Sequence, residues 1–92
     1  VDGLSIDFTS RIVKVDGIEI KQTPKEYDIL FYLIKNRGVV IRKRFLIERI
    51  WGNNYKGDDR TLDTHIKLLR KHLGVYGEKI KTLRGVGYRF DI

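Results

Sequence analysis

Arg60, Thr64, Lys67 and Lys71 recur at intervals of four, three and four residues, and Leu62, Ile66, Leu69 and Leu73 recur in the same rhythm along the same stretch. Both spacings are helical. A helix over Asp59 to Leu73 would bury the aliphatic stripe and turn the polar one outward. Thr61 and Leu68 join the outward face, and His65 and Arg70 stand on its flanks. The chemistry open to such a surface is donation. Arg and Lys can donate to phosphate oxygens or guanine edges, Thr can donate to phosphate or touch a thymine methyl, and an exposed Leu68 can meet a methyl group. A second set follows at Thr82 to Phe90, where Arg84 and Arg89 flank Gly85-Val86-Gly87 between two β-rich runs, Lys79 to Arg84 and Tyr88 to Ile92. Arginines on such a hairpin suit phosphates or the negative potential of a narrow minor groove, and the glycines permit a close backbone approach. Tyr88 offers either a phosphate donor or a core ring with a wet hydroxyl. Trp51 most simply packs, its indole N–H needing an acceptor that a phosphate could supply. A cationic helix followed by an arginine hairpin is a way to hold a duplex, the helix in a major groove and the ribbon at phosphates or the adjacent minor groove. The bland alternative is a solvated basic surface.

Other chemistries lack their residues. His65 and His72 are seven apart and Asp63 lies on a different helical face, so no metal site is expected. Without cysteine there is neither a thiolate nucleophile nor a disulfide framework. No Gly-x-Ser-x-Gly elbow or phosphate-cradling glycine loop occurs, and the one adjacent acidic pair, Asp58-Asp59, is explained by helix capping. The expectation is therefore no catalytic residue, no cofactor and no enzyme.

The elements needed to present these residues are legible around them. Leu4 to Phe8, Ile12 to Val15 and Ile18 to Ile20 read as a small antiparallel meander, the last two joined at Asp16-Gly17. Thr23-Pro24-Lys25-Glu26 is a helix start, with Thr23 capping, Pro24 in the first helical position and Glu26 bonding back. Tyr27, Leu30, Phe31 and Ile34 give that helix its apolar stripe, and Asn36-Arg37-Gly38 ends it. Val39-Val40-Ile41 reads as an extended connector, Phe45 to Ile50 as a second helix ending near Trp51-Gly52, and Gly52 to Asp58 as an exposed loop. Asp59 is the expected cap of the third helix and Gly74 its stop. The fold class is α+β: an N-terminal β-meander, three helices and a C-terminal β-hairpin.

Ninety-two residues form one domain, 1–92, with one modest core. The charge is one-sided: Val1 to Ile34 carries a net −2 and Lys35 to Ile92 a net +9. Such a field favours a polyanion, whose neutralised phosphates release counterions. No apolar run approaches the roughly 20 residues of a membrane span, so no membrane partner is expected. The absence of methionine suggests a piece excised from something longer.

Four ordered motifs, Thr23 to Leu30, Ile50-Trp51-Gly52, Asp59 to Lys71 and Thr82 to Phe90, resemble the winged helix-turn-helix effector domain of OmpR/PhoB-type response regulators over essentially the whole chain. The resemblance implies a bacterial, cytoplasmic transcription factor of a two-component system, preceded in full-length members by a phosphorylatable receiver domain. It implies a monomeric isolated domain that pairs on direct repeats of double-stranded DNA. Helix contacts would fall to Arg60, Thr64, His65, Lys67 and Arg70, wing contacts to Thr82, Arg84 and Tyr88, and phosphate contacts to Trp51 and Thr61; Lys71 and Arg89 join the helix and wing sets on their own charge and position. The loop holding Asn53, Asn54, Tyr55 and Lys56 would face RNA polymerase. Two positions depart from the pattern. Arg42-Lys43-Arg44 stands where relatives have a Ser or Thr cap and acids, and crowds cations at a helix N-terminus whose dipole disfavours them, so Arg42 and Arg44 are expected to meet phosphate. Leu68 stands where many relatives have a basic residue. The competing readings are a non-specific nucleic-acid-binding module, an RNA-binding module, disfavoured because the aromatics fall at core spacing, and a protein-interaction winged helix.

Overall fold

The N-terminal alternation folds as an antiparallel sheet in the order β1 (Leu4–Asp7), β2 (Ile12–Val15), β3 (Ile18–Glu19), with Leu4 opposite Val15 and Lys14 opposite Glu19. Its second turn uses Asp16 and Gly17 at φ 52° and 84°, the left-handed pair that matches strand twist in a two-residue hairpin. The computed structural model describes residues 3–52, 55 and 59–91.

Helix α1 (Pro24–Lys35) begins at the expected capping box: the Thr23 hydroxyl accepts from the Glu26 N–H at 3.3 Å and the Glu26 carboxylate accepts from the Thr23 N–H at 3.2 Å. Its buried face is broader than the expected stripe. Ile29 and Leu33 are buried beside Leu30 and Phe31, whereas Tyr27 and Ile34 are half-buried flanks. The reason is that α1 is central and touches α2, α3 and the last strand together.

Val39-Val40-Ile41 is not merely a connector. Ile41–Arg42 forms β4, which pairs antiparallel with the last strand and leads directly into α2 (Lys43–Trp51). Its partner comes from the far end of the chain, which no local pattern announces. Helix α3 (Arg60–Leu73) buries Leu62, Ile66, Leu69 and Leu73 as its periodicity requires, and Gly74 at φ 61° ends it. Each such aliphatic side chain contributes roughly 1.5 to 3 kcal/mol through burial. A 3-10 turn, Gly74–Lys79, then feeds β5 (Ile80–Leu83) and β6 (Gly87–Phe90), giving a second sheet in the order β4-β6-β5. The hairpin strands are shorter than expected at their outer ends, and Gly87 belongs to a strand rather than to the turn. Gly87 faces Arg42 across the sheet, and a Cβ there would lie 1.9 Å from the Ile41 carbonyl oxygen. Only glycine lets β4 approach this closely.

Candidate nucleic-acid interface

Helix α3 presents Arg60, Thr64, Lys67, Leu68 and Lys71 to solvent, as its rhythm requires. Asp59 adopts helical backbone and makes no side-chain cap bond, which corrects its expected role, and the first turn carries Asp63 instead. Thr61 and His65 are half-buried and braced from the α2 end. The Thr61 hydroxyl accepts from the Tyr55 phenol at 2.8 Å. The His65 ring lies 2.7 Å from the Thr61 carbonyl through Nδ1, which must donate because a carbonyl can only accept. Trp51 ties this corner together, its ring 5.2 Å from His65, 5.7 Å from Tyr55 and 5.5 Å from the Lys25 ammonium. Tyr55 is thus packed toward α3. Asn53, Asn54 and Lys56, the remainder of the loop expected to face a polymerase, lie outside the described residues.

The hairpin is held to α3 by side chains whose types and positions suggest contacts to a partner. Arg70 does not point its guanidinium outward: it donates to the Ile80 carbonyl at 2.6 Å and to the Thr82 hydroxyl at 2.6 Å. Arg70 and Thr82 therefore form a clamp between helix and hairpin. Tyr88 is a buried core residue and its hydroxyl donates to the Asp63 carboxylate, which corrects its expected wing contact. Burial first, and then the Asp63 carboxylate, push the Tyr88 phenol well above its ordinary pKa, so it acts as a fixed donor. The same carboxylate takes the Lys43 ammonium at 3.4 Å, joining α2, α3 and β6 at one residue. Arg89 is likewise committed, with Nε 2.5 Å and Nη2 2.9 Å from the two Asp91 oxygens. Its partner is two residues away, so the i, i+2 spacing of opposite charges is the local signal for this pairing. Arg84, beside the turn, is exposed and makes no ion pair among the described residues.

The cationic start of α2 is partly resolved within the fold. Arg42 occupies the cap position without a side-chain bond, in keeping with the weak cap its residue type implies. Lys43 donates its backbone N–H to the Val86 carbonyl at 3.1 Å, so one unsatisfied N–H of the helix start is spent on the hairpin turn. Arg44 turns to the Tyr55 carbonyl at 2.8 Å and to Glu48 at 3.4 Å. The expected phosphate contact of Arg44 therefore competes with an internal one, while Arg42 stays exposed beside the hairpin.

The outcome is a surface of exposed donors, Arg60, Thr64, Lys67, Lys71, Arg84 and Arg42, carried on elements fixed to one another by Arg70, Asp63, Tyr88 and Lys43. One contact that the sequence reading missed lies behind it: the Glu26 carboxylate, fully buried, accepts from His72 Nδ1 at 2.7 Å and pins the last turn of α3 to the first turn of α1. The capping motif had placed one of its oxygens, but nothing local pointed the other toward His72. Among the described residues no cluster of three or more His, Cys, Asp or Glu is placed to hold a metal, and no helix is long and apolar enough to cross a membrane.

The family described as "Transcriptional regulatory protein, C terminal" matches residues 17–90. Transcriptional regulatory protein ResD of Bacillus subtilis is 41% identical over 93 residues, covering 97% of this chain and 39% of ResD. The chain therefore spans about two-fifths of that relative's length. Among solved structures, the Klebsiella pneumoniae RstA DNA-binding domain in complex with the RstA box superposes with a TM-score of 0.84 at 33% identity, over 97% of this chain and 91% of that one. The Thermotoga maritima response regulator DrrB, an OmpR/PhoB homolog, gives a TM-score of 0.88 at 35% identity, over 98% of this chain and 42% of its own.

Proposed function

The chain belongs to the transcriptional regulatory protein C-terminal family, of OmpR/PhoB type, and from that premise we propose that it reads double-stranded DNA by laying α3 in the major groove and the β5–β6 hairpin at the neighbouring minor groove. It is the transcription-regulating output domain of a response regulator, a binding module and not an enzyme. The observation that carries the proposed docking is that the exposed donors of α3 and the Arg84 tip of the hairpin are set at a fixed mutual angle by the Arg70 clamp, on a fold whose RstA relative is held with its DNA box. Lys67 and Arg60 are the base-edge readers in this arrangement. Thr64 and Lys71 meet phosphate or thymine methyls, Arg84 and Arg42 meet the backbone beside the hairpin, and Thr61, His65 and Trp51 brace the helix while presenting any remaining donor to phosphate. Residues 1–92 act as one winged-helix domain following a receiver domain in a cytoplasmic protein, monomeric alone and paired on direct repeats, with the loop after Trp51 meeting RNA polymerase.

The test is selection from a randomised duplex library, followed by affinities of the winner and of a scrambled duplex across a salt series. A motif, in two direct copies about one helical turn apart, is the expected result. Salt-sensitive binding that recovers no motif would reduce the domain to a non-specific polyanion binder, and no binding would favour a protein-interaction role.

A further inference from the structure

A groove of about 560 Å³ opens between the β1–β2 turn, the outer side of α1 and the end of α2, and no residue of α3 or of the hairpin lines it. Its floor is aromatic: Phe8 meets Phe31 edge-on at 5.2 Å, and Tyr32 completes the aromatic lining. Phe8, in that lining, is 39% exposed, an apolar ring left open to solvent. Three cations sit over these rings. Arg11 lies 5.1 Å from the Phe31 centroid, the Lys35 ammonium 4.9 Å from Phe8, and the Arg49 guanidinium 5.5 Å from Tyr32. Asp28 is the sole carboxylate in the lining among the described residues, and Arg11 already holds it at 2.8 Å. Lys35 and Arg49 have no carboxylate partner among the described residues. A guanidinium resting by its face on a ring keeps its edge donors for a carboxylate.

The pattern suits an acidic peptide better than a nucleic acid. A phosphate backbone needs a continuous cationic track, whereas here the cations are separated by apolar rings and share the groove with Asp28. A peptide can meet both features at once, with an apolar side chain on the rings and carboxylates on the two uncompensated cations. We propose that this groove is a docking site for an acidic segment of a protein partner, seating an aromatic or aliphatic side chain on Phe8 and Phe31 and carboxylates on Lys35 and Arg49. The site is independent of the DNA-reading surface.

The experiment is panning of a phage-displayed random dodecapeptide library on the immobilised chain, with an enriched peptide resynthesised and titrated into isotope-labelled chain by NMR. Enriched sequences should combine Asp or Glu with Phe, Leu or Ile, and amide shifts should fall on Phe31 to Asn36 and around Arg49. Lys35→Glu with Arg49→Glu should weaken the peptide about tenfold or more while the preference for selected over scrambled duplex holds, and the milder Lys35→Gln with Arg49→Gln should weaken it less. Recovery of no peptide, enrichment without acids, shifts concentrated on α3 and the hairpin as for a mere DNA mimic, or unchanged affinity in both double variants would each overturn the proposal.

Discussion

Lys67 and Arg84 are both exposed cations, yet duplex binding asks different things of them. Lys67 stands mid-helix on the outward face of α3, where a groove-bound helix meets base edges. Lys67→Ala should therefore cost roughly 1 to 3 kcal/mol on the selected site and much less on scrambled duplex. Equal losses on both would remove it from base reading. Arg84 stands beside the hairpin turn, which the proposed docking sets against phosphate and the minor groove. Arg84→Ala should weaken all duplexes alike and lower the salt slope by about one, as measured by titration across a salt series. Tyr88 and Arg70 show where reading residue types stops short. A phenol and a guanidinium flanking a basic surface look like partner contacts in the sequence, but the acceptors that claim them, Asp63 and the Ile80 carbonyl, are neighbours only after folding. Tyr88→Phe should accordingly act on the fold, costing about 1 to 2 kcal/mol in urea denaturation, with Lys43 still holding Asp63.

At the scale of elements, the helices were legible because their causes are local: the capping box of α1, the leucine rhythm of α3 and the glycine that stops it. The hairpin was legible only as two runs around glycines, because what gives each glycine its task lies elsewhere in the chain. Gly85 sits at φ 75° with open space about its Cα, so its requirement is conformational. Gly87 has an ordinary strand backbone but abuts the Ile41 carbonyl, so its requirement is steric, and it is invisible in the sequence because β4 pairs with it only after folding. The two glycines should thus respond differently to one methyl group. Gly85→Ala should destabilise by about 1 kcal/mol, the cost of placing a Cβ at positive φ. Gly87→Ala should cost about 3 kcal/mol by forcing β4 from β6, and the Lys43 N–H, bonded to the Val86 carbonyl, should lose hydrogen-exchange protection along with it. Equal penalties at the two positions would show that β4 is not held as tightly as its register implies.

Across the molecule, the one fully buried charged side chain among the described residues joins the chain's first helix to its third. Glu26 closes the capping box of α1 with one oxygen and holds His72 with the other, so the N-terminal half and α3 share a single carboxylate. Burial alone would raise its pKa, but the His72 bond and the Thr23 N–H and hydroxyl outweigh it, and the carboxyl is held below its usual 4.5. A folded-state pKa below the unfolded one means that the unfolded chain binds the proton more readily. The stabilisation is therefore complete above about pH 4.5 and is lost as pH falls from there through the depressed folded value. Exposed Asp7, held low by Ser10 and Thr9, and Asp91, held low by Arg89, tilt the curve the same way and remain in a Glu26 variant. Glu26→Gln keeps the shape of the side chain but removes the charge. It should lower stability at pH 7 by about 1 to 3 kcal/mol and flatten, without abolishing, the fall below pH 4.5. Urea denaturation of both proteins at a series of pH values separates the contributions, because the two curves should converge as the wild-type carboxylate is protonated. Curves that stay parallel down to the acid transition would mean that Glu26 does not carry the α1–α3 junction as a charge, and that its packing and neutral hydrogen bonds suffice.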